Sequence, residues 1–271
     1  MSASPRAPLP FRYVRLYGHF LRFSFSRAME FRVDFFFRVL MDALWYAVHL
    51  AFFAVLFRET QALGGWDWPK VLVFAASMFL MDALQMTFFS NNFWWFPVLV
   101  NRGDLDYYLV RPVSPLFFVS LRDFAANSFL NLLLALGIFV WALARYPEPL
   151  GAGRVALFVL LLLLGVFLFY LMSMMFLIPV FWLQSRSGIR EVFWSLERLG
   201  LRPHGIYRGW MRRLLVSLLP FALLCSYPLE VLFGEEPVRV VLHTAAVIAG
   251  ATLLTAWMWW RGLRSYSSAS S

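Results

Sequence analysis

The sequence has little of several residue types on which common protein functions depend. Lys70 is the only lysine among its 24 basic residues, and the residues before it, GGWDWP, do not form the glycine-rich turn of a P-loop. Cys225 is the only cysteine, which excludes a disulfide within the chain. The four histidines include no pair at metal-ligand spacing. We therefore expect no catalytic activity, no metal site and no cofactor in this chain.

Charged residues are also scarce, at 14% of the chain, whereas 61% of the residues are hydrophobic. A soluble domain of 271 residues cannot bury that much apolar surface. The apolar runs are continuous and do not alternate with period two, which argues against a transmembrane barrel. The net charge of +9 comes from arginines between apolar runs, which suits a membrane surface better than a nucleic acid. The sequence predicts an all-α polytopic membrane protein whose partner is the lipid bilayer.

Six apolar segments indicate six transmembrane helices. We expect a disordered lead at 1–10, an interface helix at 11–34, a six-span domain at 35–260 and a tail at 261–271. The predicted spans are 35–57, 69–94, a segment that begins near Val119, 155–183, about 214–233, and 238–260.

The segment 11–34 has the pattern of a basic amphipathic helix. Its polar residues recur at helical spacing and place the arginines on one face, with phenylalanines elsewhere. They are Arg12, Arg15, His19, Arg22 and Ser26. The pattern predicts a helix that lies in the membrane interface; an anchor that only sets the topology is the alternative.

The arginine distribution predicts which parts of the chain face the cytoplasm. Six spans place both termini on one side. That side carries nineteen basic residues, including seven in an amphipathic loop at 184–213, against five on the other side. Because positive residues concentrate in cytoplasmic loops, we expect both termini, the segment 101–117 and the loop 184–213 in the cytoplasm.

Several polar residues fall inside the predicted spans, where polar side chains are costly and are functional candidates by default. They are Asp42, His49, Asp82, Gln85, Asn127 and Asn131. One alternative is that they hydrogen-bond between helices or subunits, at about 0.6 kcal/mol each. Another is coupled proton transport through Asp42 and Asp82.

The segment 101–117 is short, charged and rich in turn residues, yet both its flanks are apolar. Its glycine and prolines interrupt helices, and its charged residues favour water over lipid. The residues are Gly103, Asp104, Asp106, Tyr107, Tyr108, Arg111, Pro112 and Pro115. We predict that this segment docks a separate ATPase, with the tyrosines filling a groove on it; an ordinary cytoplasmic turn is the alternative.

Two motifs and the span layout resemble the membrane permease subunits of type-2 ATP-binding-cassette exporters. The first motif is RGDLDYYLVRPVSPLF at 102–117, and the second is RPHGIYRGWMRRLLVSLLPFALLCSYPLEVLFG at 202–234. The layout is an N-terminal interface helix and six spans with both ends inside. The resemblance covers nearly the whole chain and points to a poorly characterised six-span branch.

The resemblance implies half of a transporter in the bacterial inner membrane. A second permease chain, identical or a sister, would complete the pathway, and two copies of an ATPase subunit would supply the sites for ATP and magnesium. The coupling element maps to 103–115. A re-entrant hairpin between spans five and six would have only 226–237 available, and would be short. An ion-gradient-driven secondary transporter or channel using Asp42 and Asp82 is the alternative function, and a scaffold without transport is a third. Nothing in the sequence identifies the cargo.

Overall fold

The computed structural model describes residues 9–30, 32–126, 128–183, 188–234 and 237–266. Within those ranges the chain is helical and forms no strand. The α-helices are α1 (Leu9–Glu30), α2 (Arg32–Glu59), α3 (Trp68–Gln85), α4 (Asn91–Arg102), α5 (Asp106–Leu109), α6 (Pro115–Leu121), α7 (Ser128–Ala144), α8 (Ala152–Leu177), α9 (Val180–Leu183), α10 (Gly188–Glu197), α11 (Gly209–Arg213), α12 (Ser226–Leu232) and α13 (Pro237–Ser265).

Four helical stretches of the described chain are long and apolar enough to cross a membrane. They are Phe36–Glu59, Trp68–Arg102, Ala152–Leu183 and Pro237–Ser265. The second includes α3 and α4, which continue into each other through a π-helical turn at Met86–Ser90. Ser128–Ala144 is apolar but shorter. The all-helical membrane class is confirmed, and the count of six spans stays a prediction.

Local sequence signals explain where the second of these stretches begins and ends. The Asp67 carboxylate accepts a hydrogen bond from the Lys70 backbone N–H, and a proline occupies the first turn of α3. The stretch ends at Gly103, whose φ of 79° is the left-handed conformation that glycine adopts without strain.

The helix bundle has two ends, which we call the Gly64 end and the Tyr108 end. At the Gly64 end, the ring of Phe233 lies 5.8 Å from Trp66 and 5.2 Å from Tyr146. At the Tyr108 end, the connection 103–114 lies beside the end of α13, and Trp182 donates a hydrogen bond to Ser265. The connections 60–67 and 145–151 therefore lie at one end, and the segment 103–114 at the other.

The segment 188–206 runs towards the Gly64 end from the part of the bundle where α8 approaches the Tyr108 end. In α10, the ring of Phe193 packs at 5.2 Å from Phe176 of α8. Further along, the backbones of Gly205 and Gly64 touch, and a Cβ added at Gly205 would lie 2.2 Å from the Gly64 carbonyl oxygen. The arginine distribution had placed these two glycines on opposite sides of the membrane, and this contact contradicts that placement. Of the apolar residues of α10, Phe193 is buried against the bundle, whereas Val192 is 52% exposed.

The stretch 214–233, predicted as a span interrupted by Pro220 and Pro228, does not cross the bundle, because it begins and ends near Trp66 at the Gly64 end. It comprises a π-helical turn at Leu214–Leu218, a 3₁₀ turn at Phe221–Leu223, and α12. Pro220 lacks the backbone N–H that a continuous helix needs, and Leu219 before it leaves the helical region at φ −117° and ψ 76°. The helix therefore breaks at this point.

Residues 209–232 instead form a helical hairpin, which we call the hairpin 209–232. It starts next to His204, whose ring is 6.3 Å from Trp66 at the Gly64 end. Its tip reaches the middle of α8, where Leu224 lies against Gly165. It returns to Phe233 at the Gly64 end. The expectation that a re-entrant element would be confined to 226–237 is therefore wrong, since α11 belongs to it as well.

Candidate functional site

The segment 103–114 presents one tyrosine at the surface and buries the other. In α5, Tyr107 is 70% exposed and Val110, just after it, is 84% exposed. Tyr108 is only 9% exposed and packs inside the chain. Of the two tyrosines predicted to fill a groove on a partner, only Tyr107 is accessible to one.

Tyr108 holds the segment in a fixed position. Its hydroxyl accepts a hydrogen bond from the Arg122 guanidinium. The Arg111 guanidinium lies 5.7 Å from the centre of the Tyr108 ring and 5.2 Å from that of Phe118, within the range of cation–π attraction. Arg111 also donates to the Tyr107 carbonyl oxygen at 3.2 Å. These contacts order the segment against α6, which begins at Pro115.

The two ends of the chain also contact this segment. The Tyr13 hydroxyl of α1 accepts a hydrogen bond from the Ser114 backbone N–H at 3.1 Å. Tyr266, just after α13, lies beside Asp106 and Asp104. Burial, and after it the charge of Asp106, raises the pKa of Tyr266 to about 12, so this side chain is neutral at physiological pH.

In α1, the predicted basic residues Arg12, Arg15 and Arg22 are exposed, as are the apolar side chains of Val14 and Phe23. The opposite face packs on the bundle, where the ring of Phe20 lies 5.4 Å from that of Phe118. Near its end, Arg27 forms a 2.6 Å ion pair with Asp123. The basic face is thus free to meet a charged surface, while the helix is tied to the connection between α6 and α7.

A second apolar core lies behind the segment 103–114. It combines residues of α4, α6, α8, α9 and α13 with the segment itself: Phe96, Val100, Leu105, Tyr108, Phe118, Val119, Met174, Leu177, Ile178, Val180, Phe181 and Trp259. Leu177 of this core also lines a cavity deeper in the bundle. Because cores are closely packed, displacement of the segment would move the helices that form this cavity.

That cavity, of about 360 Å³, adjoins a second of about 300 Å³, and we call the pair the Asp82 pocket. Both lie among α3, α8 and α10, and they share Asp82, Gln85, Phe169, Trp194 and Glu197. Two of the predicted polar residues, Asp82 and Gln85, are therefore brought together.

The other predicted polar residues are distributed around this pocket. Asn131 is buried, and the hydroxyl of the buried Tyr46 donates to the Phe79 carbonyl oxygen at 3.5 Å. Asp42 itself lines a separate groove of about 500 Å³ with Arg38. His49 is not part of this group, because its Nδ1 lies 2.9 Å from the Trp45 carbonyl oxygen of its own helix. Asn127 lies outside the described residues.

Four polar residues of the Asp82 pocket are not among the candidates that the sequence indicates: Ser90, Ser173, Glu197 and Arg198. Glu197 falls in the predicted cytoplasmic loop 184–213, and Ser173 falls in the predicted span 155–183, which carries no charge. Both line the 360 Å³ cavity. An isolated serine in an apolar span is only a weak indication of a pocket residue. The residues around Glu197 do not indicate that its side chain lines a cavity inside the bundle.

A polar cluster holds the hairpin 209–232 at the Gly64 end. His204 is buried, and its Nε2 lies 2.9 Å from the Glu230 carboxylate. The Arg212 guanidinium lies 3.4 Å from the same nitrogen. These contacts join the segment before the hairpin to both of its arms, so they fix how the hairpin leaves the bundle.

Comparison with known proteins gives one match. A family model described as "ABC-2 family transporter protein" matches residues 43–270. No curated protein and no solved structure matches the chain. The match begins within α2 and takes in the segment 103–114, the Asp82 pocket and the hairpin 209–232. The chain belongs to the ABC-2 transporter family, as a multi-pass membrane permease component, which takes part in transport and is not itself catalytic.

Proposed function

We propose that this chain is the permease half of an ATP-binding-cassette exporter of the inner membrane, driven by a separate ATPase. The observation that carries the proposal is the segment 103–114. It presents Tyr107 and Val110 outward and is fixed by Tyr108 to a core that reaches the Asp82 pocket. Two ATPase copies would bind this segment in two permease chains, and ATP and magnesium would bind only to the ATPase.

An ion-gradient-driven transporter is the second candidate. The groove lined by Asp42 borders the cavity lined by Asp82, since both are lined by Met86, Ser90 and Trp94. This favours the second candidate, because carboxylates within a membrane are typical of proton relays. The family match favours ATP-driven transport, and we retain that as the main proposal.

The proposal includes a six-span topology that differs from the predicted one at span five. The segment 188–206 would be the fifth crossing, and the hairpin 209–232 would enter from the outer side. Arg202, Arg208, Arg212 and Arg213 would then lie on the outer side, which changes the predicted distribution from nineteen and five basic residues to fifteen and nine. The side that carries the termini still has more basic residues, which supports their placement in the cytoplasm.

Cysteine labelling tests this topology. In a Cys225→Ser background, we expect Arg208→Cys to react with a membrane-impermeant maleimide in intact spheroplasts, because Arg208 is exposed next to the Gly64 end. Tyr107→Cys is the control at the opposite end and should react only after lysis. If both positions are equally protected from the maleimide in intact spheroplasts, residue 208 lies in the cytoplasm and the proposed topology is wrong.

The function itself is tested by purification from native membranes followed by mass spectrometry. We expect an ATP-binding-cassette ATPase at one copy per permease chain, and either one or two kinds of permease. A chain that is purified alone, folded and without any ATPase would instead favour the ion-gradient mechanism, and its Asp42→Asn and Asp82→Asn variants would then be assayed for proton-coupled transport.

A further inference from the structure

Two buried polar side chains of the Asp82 pocket have no hydrogen-bond partner among the described residues. Gln85 of α3 is 7% exposed, and neither its amide nitrogen nor its amide oxygen is bonded. Ser173 of α8 is 3% exposed, and its hydroxyl is likewise unbonded. A buried polar group without a hydrogen-bond partner destabilises the fold. Both line the 360 Å³ cavity, so a ligand there would meet hydrogen-bonding groups from two helices.

The charges around the pocket indicate the sign of that ligand. Asp82 and Glu197 line both of its cavities, and Arg198 lines only the smaller one. The walls thus carry two carboxyl groups and one guanidinium. A carboxylate removed from water needs a cation or a proton beside it. When both carboxyl groups are ionised, the guanidinium balances one of them, and a ligand with a single positive charge balances the other.

The remaining walls indicate an apolar body on the ligand. The larger cavity is lined by six aromatic side chains: Phe93, Trp94, Phe169, Phe176, Phe193 and Trp194. Aromatic faces attract cations and pack against hydrocarbon or ring systems. A cavity of about 360 Å³ is also within the size range of pockets that bind small molecules.

We propose that the Asp82 pocket binds a lipophilic monocation, an organic ammonium with an apolar body. Its three N–H groups donate to the carboxylates of Glu197 and Asp82 and to the amide oxygen of Gln85 or the hydroxyl oxygen of Ser173, and its body lies against the aromatic walls. Binding follows from the pocket alone, whereas the identification of this ligand class as the exported cargo rests on the proposed function.

The experiment uses three probes with the same body and different head groups. They are 5-phenylpentylammonium, the neutral 5-phenylpentan-1-ol and the anionic 6-phenylhexanoate. Binding to the full chain in phosphatidylcholine nanodiscs is measured by equilibrium dialysis, with empty nanodiscs subtracted for partition into lipid. We expect saturable binding of the ammonium only, because the alcohol and the carboxylate leave the acidic walls without a cation.

Two substitutions on one helix test the role of the pocket. Glu197→Gln should weaken ammonium binding by a factor of roughly ten or more, the loss expected when a charge-assisted hydrogen bond is removed. Glu191→Gln makes the same change at an exposed position of α10 outside the pocket, and should bind like the unmodified chain. Asp82→Asn is the second pocket variant; elution volume and melting temperature show that each variant is folded.

Absence of saturable ammonium binding to the unmodified chain would overturn the proposal. So would equal affinities of Glu197→Gln and Glu191→Gln, or equal binding of 6-phenylhexanoate. Because no ATPase is present in the nanodiscs, failure of binding would leave the permease assignment intact. An ATPase missing from native membranes would likewise leave the binding result intact.

Discussion

Replacement of the exposed tip of the segment 103–114 should abolish most of the interaction with the ATPase. The Tyr107→Ala/Val110→Asp variant removes an aromatic side chain that is 70% exposed and places a charge at a position that is 84% exposed. Loss of a central aromatic contact costs about 2 kcal/mol or more, so we expect at least a thirtyfold weaker complex. The measurements are copurification with the ATPase and stimulation of its ATP hydrolysis as the permease is titrated.

The control changes the same residue classes at the Gly64 end. Trp210 and Val238 are each 70% exposed, so the Trp210→Ala/Val238→Asp variant removes similar apolar surface far from the segment 103–114. It should retain full stimulation. If both double variants stimulate equally, the segment 103–114 is an ordinary turn.

Tyr108 is not a suitable position for this test, although the sequence pairs it with Tyr107. Its ring is buried in the second apolar core and its hydroxyl is bonded to Arg122. Truncation of a buried aromatic side chain costs about 3–5 kcal/mol. Tyr108→Ala would therefore disturb the whole segment, and a loss of ATPase stimulation would not identify a contact.

The second large effect is expected at Gly165, where α8 meets the tip of the hairpin 209–232. A Cβ added there would lie 2.8 Å from the Leu224 carbonyl oxygen and 3.2 Å from its Cα. Because both neighbours are backbone atoms, the hairpin would have to shift, at a cost of about 1–3 kcal/mol. We expect Gly165→Ala to lower the melting temperature in detergent by several degrees, and to increase proteolysis within 209–232.

Gly137→Ala is the matched control, because Gly137 also lies within an apolar helix and a Cβ there would meet nothing within 4 Å. Alanine favours the helix over glycine by up to about 1 kcal/mol, so this variant should be as stable as the unmodified chain or slightly more stable. Should Gly165→Ala behave like Gly137→Ala, the hairpin tip does not pack on α8 as described.

Much of the fold follows from composition, since long apolar runs with few charges form helices in lipid. The boundary at Gly103 and Pro115 was also readable, because glycine and proline act locally on the backbone. The amphipathic pattern of α10 predicts a cytoplasmic loop, whereas the structure packs this helix within the bundle. A helix with one apolar face has the same sequence whether that face meets a membrane surface or other helices, and the packing of Phe193 on α8 decides between them here.

Some features of the functional residues likewise follow from the sequence, and others only from contacts between distant segments. The sequence by itself determined an all-helical membrane protein with a charged, proline-bounded segment between apolar runs, because those features depend on residue type and short spacing. The tertiary structure decided that Tyr108 is buried and that Glu197 and Ser173 join Asp82 and Gln85 in one pocket. It also decided that 209–232 turns back within the bundle. These outcomes depend on contacts between segments far apart in the chain, which the spacing of residues within each segment does not specify.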